Sequence, residues 1–240
     1  MADQTFPPNV FIYSVKEPEV LLGSLLLSDG ITEANLYTIV DIMYSFNMGW
    51  VLRDERKVWL QKDDVALRPG NYYIHTYGIM TKSQKVFLRE EETVGTKNRP
   101  EEFRIAVRDR DRRCVIKGAG EGRAQAGWWT GLEACHVFPL AFENHWNGGD
   151  YGITMHPKSG GSINSVQNGL LMFGGIHSMF DRYAFSINPD DGYKLTFFVP
   201  DDQGLAGTYL DRRLLDDPRR PTDELFRWHF EQAVLANVRV

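Results

Sequence analysis

With 240 residues, 42% of them hydrophobic and 12% aromatic, the chain has material for a sizeable core and is no disordered polymer. A net charge of −5 argues against a strong general binder of polyanions. Two cysteines, Cys114 and Cys135, build no disulfide framework, no apolar run is long enough to span a membrane, and the polar, proline-bearing start MADQTFPPNV is no secretory leader. An intracellular protein with reduced thiols is expected.

Residues 1–80 read as a small α+β unit. Val10 to Ser14 and Val20 to Leu27 are strand candidates, the second ended by Ser-Asp-Gly. Thr32 to Phe46 has helical spacing at Leu36, Ile39 and Val40, with Thr32 as cap and Asn47 and Gly49 as stops. Trp50–Arg53 and Lys57–Gln61 suit a hairpin, and Pro69-Gly70 turns into an aromatic strand that includes His75. Two strands, a helix and two or three strands is a β-grasp-like order, suited to a structural or partner-binding module. Residues 81–102 are polar and charged and read as a linker; 103–240 form the second domain.

From Arg104 to Arg123 seven Lys or Arg face three Asp or Glu. A helix over 101–110 and a strand over 114–117 would carry Arg108, Arg112, Arg113 and Lys117, candidates for phosphate contact. Arg–Asp pairs on a solvated face, through Asp109 and Asp111, explain the run equally well. Gly118–Gly122 lacks the ending of a nucleotide loop. Trp128 and Trp129 suit core packing or stacking on bases.

Next comes a strand around His136, stopped by Pro139, and a long polar loop with His145, Asp150, His156 and Lys158. A short apolar strand then begins at Asn168 and runs to Met172. Ile176, Met179, Phe180 and Tyr183 at i, i+3, i+4 and i+7 mark a helix, on which His177 and Asp181 share a side. The picture is strand, loop, strand, helix, with His136 facing a His177/Asp181 pair. An imidazole and a carboxylate one turn apart suit one divalent ion, and a histidine beside it suits proton removal from water. Phe185 to Pro200 reads as a hairpin across Asn-Pro-Asp-Asp-Gly. Thr222 caps a last amphipathic helix in which Trp228 packs and His229 is exposed.

His136, Asn168 and His177, the last two nine positions apart, and the text EACHVFPLAFE, VQNGLLM and IHSMFDRYAFSI resemble the HNH (ββα-metal) nucleases. The likeness runs over roughly 103–198 and is nearest to the branch found in fungal proteins of unassigned role. That branch is similar to the nuclease domain of restriction enzymes that cut modified DNA. It implies an α+β chain whose ββα-metal core carries an added hairpin and a C-terminal helix. It also implies metal-dependent hydrolysis of DNA phosphodiester bonds. His136 would be the general base, His177 and Asp181 the metal ligands. Asn168 would pin the loop or join the metal shell. Many members have an acidic residue or a second histidine where this chain has Cys135, which is either a ligand favouring softer ions or plain core. The ion is Mg²⁺, Mn²⁺, Zn²⁺ or Ni²⁺, the partner nucleic acid. One site per chain nicks one strand unless two chains pair. Two other readings stand beside it. One is an inactive binding protein. The other is small-molecule acid–base chemistry in a pocket lined by Trp128, Trp129, Phe138 and Trp146.

Overall fold

In VFIYS every second side chain is buried, the period of a strand with one covered face, and Val10–Ser14 forms β1. The computed structural model describes residues 6–88, 100–148 and 162–238. Its contacts group the chain into two units, Met1–Phe87 with Thr196–Gly207 and Glu231–Val240, and Leu88–Leu195 with Thr208–Phe230. Residues 89–99 of the expected linker, and Asp150, His156 and Lys158 of the expected loop, lie outside the described residues. Among the described residues, no helix is long and apolar enough to cross a membrane.

In the first unit β1 is followed by β2 (Leu21–Leu25), α1 (Glu33–Met43), β3 (Tyr44–Phe46), β4 (Trp50–Asp54), β5 (Gly70–Thr76) and β6 (Met80–Lys82). The four-stranded sheet runs β2-β1-β5-β4, with β1 parallel to β5 and the outer pairs antiparallel. Thr32 caps α1 reciprocally. Its hydroxyl accepts from the Asn35 N–H, and the Asn35 side chain accepts from the Thr32 N–H. The helix buries Leu36, Ile39, Val40 and Met43.

Two expectations change here. The helix stops at Met43, three residues before Phe46, because Tyr44 turns extended and Tyr44–Phe46 pair with Met80–Lys82. The hairpin partner 57–61 forms no regular strand, yet it does pair with β4: Trp59 bridges Arg53, the Leu60 N–H donates to Leu52 O and the Asp54 N–H to Val58 O. Lys57 there has φ 68, a left-handed turn, and β5 takes the full ladder with β4.

The second unit opens with α2 (Glu101–Asp111), α3 (Glu121–Gln125) and β7 (Leu132–His136). A short 3-10 turn (Leu140–Phe142) and α4 (Glu143–Gly148) follow. After the loop come a 3-10 turn (Val166–Asn168), β8 (Gly169–Phe173) and α5 (Gly174–Asp181). The chain continues with β9 (Phe185–Asn188), β10 (Lys194–Phe197), α6 (Arg212–Leu215) and α7 (Asp223–Asn237). The predicted strand 114–117 is instead a tight turn. The Gly118 N–H donates to Cys114 O, and one bridge joins Cys114 to Ala119. His229 is buried, not exposed, since α7 sinks Leu225, Phe226, Trp228 and Phe230 and so covers most of its girth.

Candidate active site

β7 and β8 form an antiparallel ribbon with His136 opposite Gly169, Cys135 opposite Leu170 and Glu133 opposite Met172. The pleat sends alternate side chains to opposite faces. Leu132, Ala134 and His136 share the face on which α2 packs, and Glu133 and Cys135 share the face of α5. Gly169 makes the first packing possible. A Cβ there would run into Val107 Cγ2 and come within 2.9 Å of Phe103. With that space left open, Phe103 lies flat on the His136 ring, centroids 4.1 Å apart and planes at 7°. The strand register itself is fixed by a buried ion pair at the end of α2. Arg110 binds Asp111 and donates to Gly169 O at 2.6 Å, while Asp111 Oδ2 accepts the Leu171 N–H at 2.8 Å.

On the α5 face, His177 joins two carboxylates. Its Nδ1–H donates to Glu133 Oε2 at 2.6 Å, and its Nε2 stands 3.0 Å from Asp181 Oδ2. The i, i+4 spacing on α5 brings the latter pair together, as the sequence implies. Glu133 was not singled out from sequence, although a carboxylate three residues before His136 was there to be read. Gly174 gives it room: a Cβ at that position would lie 2.9 Å from Glu133 Oε1. The ring is buried at 6% side-chain exposure while the Glu133 and Asp181 carboxylates are about half exposed, 49% and 48%.

Such a set fits a divalent ion chemically. A neutral ring that gives its Nδ1–H to Glu133 would offer its Nε2 lone pair to an ion shared with Asp181, a carboxylate–histidine arrangement that orients metal-binding imidazoles. Two ligands about 2.1 Å from one ion at right angles stand about 3 Å apart, the spacing found here. Among the described residues no group of three or more His, Cys, Asp or Glu side chains is arranged around an ion. The protein would thus supply two ligands, as sites that share an ion with substrate phosphate do.

His136 is 4% exposed, and its Nε2–H donates to Asn164 Oδ1 at 3.1 Å. Asn164, off the spacing of the resemblance, was set aside in the sequence. In a neutral ring that bond leaves the lone pair on Nδ1. Because His136 and Glu133 lie on opposite faces, His136 does not look across at His177 as the linear picture had it. Asn168 is fully buried and clamps two loops. Its Oδ1 accepts the Phe138 N–H at 2.8 Å, and its Nδ2 donates to Phe138 O and Ile163 O at 3.1 and 2.9 Å. Cys135 is buried too, its thiol donating to Leu170 O.

The expected phosphate contacts separate. Arg113 is committed to Asp211, with bonds of 2.5 and 2.8 Å. Arg112 is exposed beside Asp109 at 3.2 Å, and Lys117 is exposed. Arg108 lies over the Trp129 ring, 5.0 Å from its centroid, and burial together with the nearby Arg104 charge lowers its pKa. The four aromatics of the alternative pocket do not converge. Phe138 and Trp146 are buried together against Phe142 and Trp228, whereas Trp128 is 72% exposed.

Residues 114–188 match a family described as HNH endonuclease. Residues 7–81 match a family described as a domain of unknown function. No curated protein and no solved structure matches the chain. The HNH match supports a nuclease-type function for the second unit.

Proposed function

We propose that the second unit is a metal-dependent endonuclease that hydrolyses DNA phosphodiester bonds. The observation that carries this reading is His177 held by Glu133 with its Nε2 beside Asp181. His177 and Asp181 are assigned as ligands of a divalent ion, and Glu133 as the residue that orients His177. Bound there, such an ion would polarise the phosphoryl group and stabilise the leaving oxygen.

His136 is assigned as general base. Asn164 holds Nε2 and Phe103 holds the ring plane, so the proton of an attacking water is assigned to Nδ1, an atom that is buried in this structure and has to be uncovered by the substrate. Asn168 spends its side chain on main-chain bonds, which favours a pinning role over a place in the metal shell. Cys135 is left out, so the donors are nitrogen and oxygen, a set suited to Mg²⁺, Mn²⁺, Ni²⁺ or Zn²⁺. Arg108, Arg112 and Lys117 remain as phosphate contacts; Arg113 does not.

We assign the first unit to the β-grasp class on its strand order and the helix after its second strand. Two buried free cysteines accord with a reducing, intracellular setting. The surrounding text keeps modified DNA among the candidate substrates, and cutting both strands would take two copies of the chain. The test is nicking of supercoiled plasmid by wild type and His136→Ala in EDTA and with each ion. Metal-dependent nicking reduced roughly 10²–10⁴-fold in the variant supports the assignment. Absence of cleavage with every ion, or equal cleavage by the variant, overturns it.

A further inference from the structure

The arginines of the second unit are mostly committed to carboxylates: Arg110 to Asp111, Arg113 to Asp211, Arg220 to Asp223 and Arg227 to Asp190. Arg104, Arg108, Arg123 and Arg182 are the exceptions among the described residues, and the first two share one helix. Those two stand one turn apart on α2, and among the described residues neither side chain has an ion pair or a hydrogen bond. Arg108 Nε is buried without a partner, an arrangement that leaves a donor unsatisfied. Glu101 is the acid on the same stripe and only partly offsets the two charges.

Two rings complete the patch. Trp129 is half-buried beneath the Arg108 guanidinium, and its neighbour Trp128 leaves 72% of its surface in solvent. A free guanidinium pair attracts phosphate, and an exposed indole offers a face to a base. Phe103, next to Arg104 in α2, is the ring that stacks on His136, so one helix serves both the patch and the proposed base.

We propose that Arg104, Arg108, Trp129 and Trp128 form a subsite for one unpaired nucleotide, its phosphate on the two arginines and its base on Trp128. The inference rests on the nuclease reading and adds the substrate class to it. A base stacked within a duplex has no face to offer an indole, so the preferred substrate is single-stranded or locally opened polynucleotide.

Binding of labelled oligothymidylate, oligouridylate and a duplex of equal length is measured by fluorescence anisotropy. The full chain is used in EDTA, where a metal-dependent enzyme does not cut. Wild type is expected to prefer the single strands. Trp128→Ala should weaken them about 5- to 100-fold, the worth of one base–aromatic stack, and leave the duplex unchanged. Arg104→Ala, at an exposed position, and Arg108→Gln should each lower the salt dependence, by roughly 0.7 in the log–log slope for every phosphate no longer neutralised. The two single strands tell DNA from RNA. Equal affinity for duplex and single strand, indifference to Trp128→Ala, or no binding of any oligonucleotide overturns the proposal. Plasmid nicking separates the two readings. Nicking with Trp128-independent binding sinks the subsite alone, whereas Trp128-dependent binding without nicking sinks the nuclease alone.

Discussion

Helix α5 has a histidine cluster on each of two sides, and the two behave oppositely. On one, His177 is held between Glu133 and Asp181, carboxylates that are half in water. On the other, Phe180 lies flat on His229, centroids 3.7 Å apart and planes at 3°, and Ser186 Oγ is 2.7 Å from His229 Nδ1. His229 is wholly enclosed. Burial lowers its pKa from 6.5 to about 3, and the more distant charge of Asp181 only partly opposes this. One imidazole has carboxylate partners and an outlet to solvent, so an ion or proton can be exchanged there. The other has a ring, a hydroxyl and no outlet, so it serves as a core residue. Surroundings, not residue type, divide the two roles.

The largest effect should come from breaking the apolar side. Phe180 is fully buried, and Phe180→Ala removes the His229 stack and leaves a cavity, a loss of about 3–5 kcal/mol in unfolding free energy by chemical denaturation. A change under about 1 kcal/mol would mean that this side of α5 is loosely packed.

A smaller effect is expected on the polar side. Glu133→Gln keeps the shape but weakens the hold on His177, and the apparent affinity for the activating ion in the nicking assay should fall roughly 10- to 100-fold. An unchanged ion requirement would remove Glu133 from the site.

A further effect, gradual because it is spread over the acid range, is in pH. Between pH 6.5 and about 3 the unfolded chain binds a proton at His229 that the folded chain refuses. Stability is therefore complete above about 6.5 and falls on acidification, by ~1.4 kcal/mol per pH unit from this group. His229→Phe should flatten the acid limb of unfolding curves. An identical acid limb in the variant would place the lost protons elsewhere.

Much of the second unit is readable along the chain. Pro139 ends the His136 strand, the 3.6-residue period marks α5, and Asn-Pro-Asp-Asp-Gly makes the β9–β10 turn, with Gly192 and Tyr193 both left-handed. The HNH match covers the same stretch. Glu133 was less visible because nothing local distinguishes it from any exposed strand glutamate; its meaning comes from a helix more than forty residues on. Asp111 was read as a partner on a solvated face, yet with Arg110 it is buried and holds Gly169 and Leu171 in register. Burial of an ion pair has no sequence period.

By itself, then, the sequence determined what depends on neighbours within a turn or a hairpin: the succession of β7, β8 and α5, the β9–β10 turn and the last helix, the Thr32 cap, and the placing of His177 beside Asp181. Tertiary structure decided which faces meet. It set His136 and Glu133 on opposite sides of one ribbon, closed Cys135 and Asn168 into the interior, committed Arg113 to Asp211 and left Arg104 and Arg108 open. The reason is physical. Helix and strand periods are local properties of the backbone, whereas burial and charge pairing depend on residues that only folding brings together.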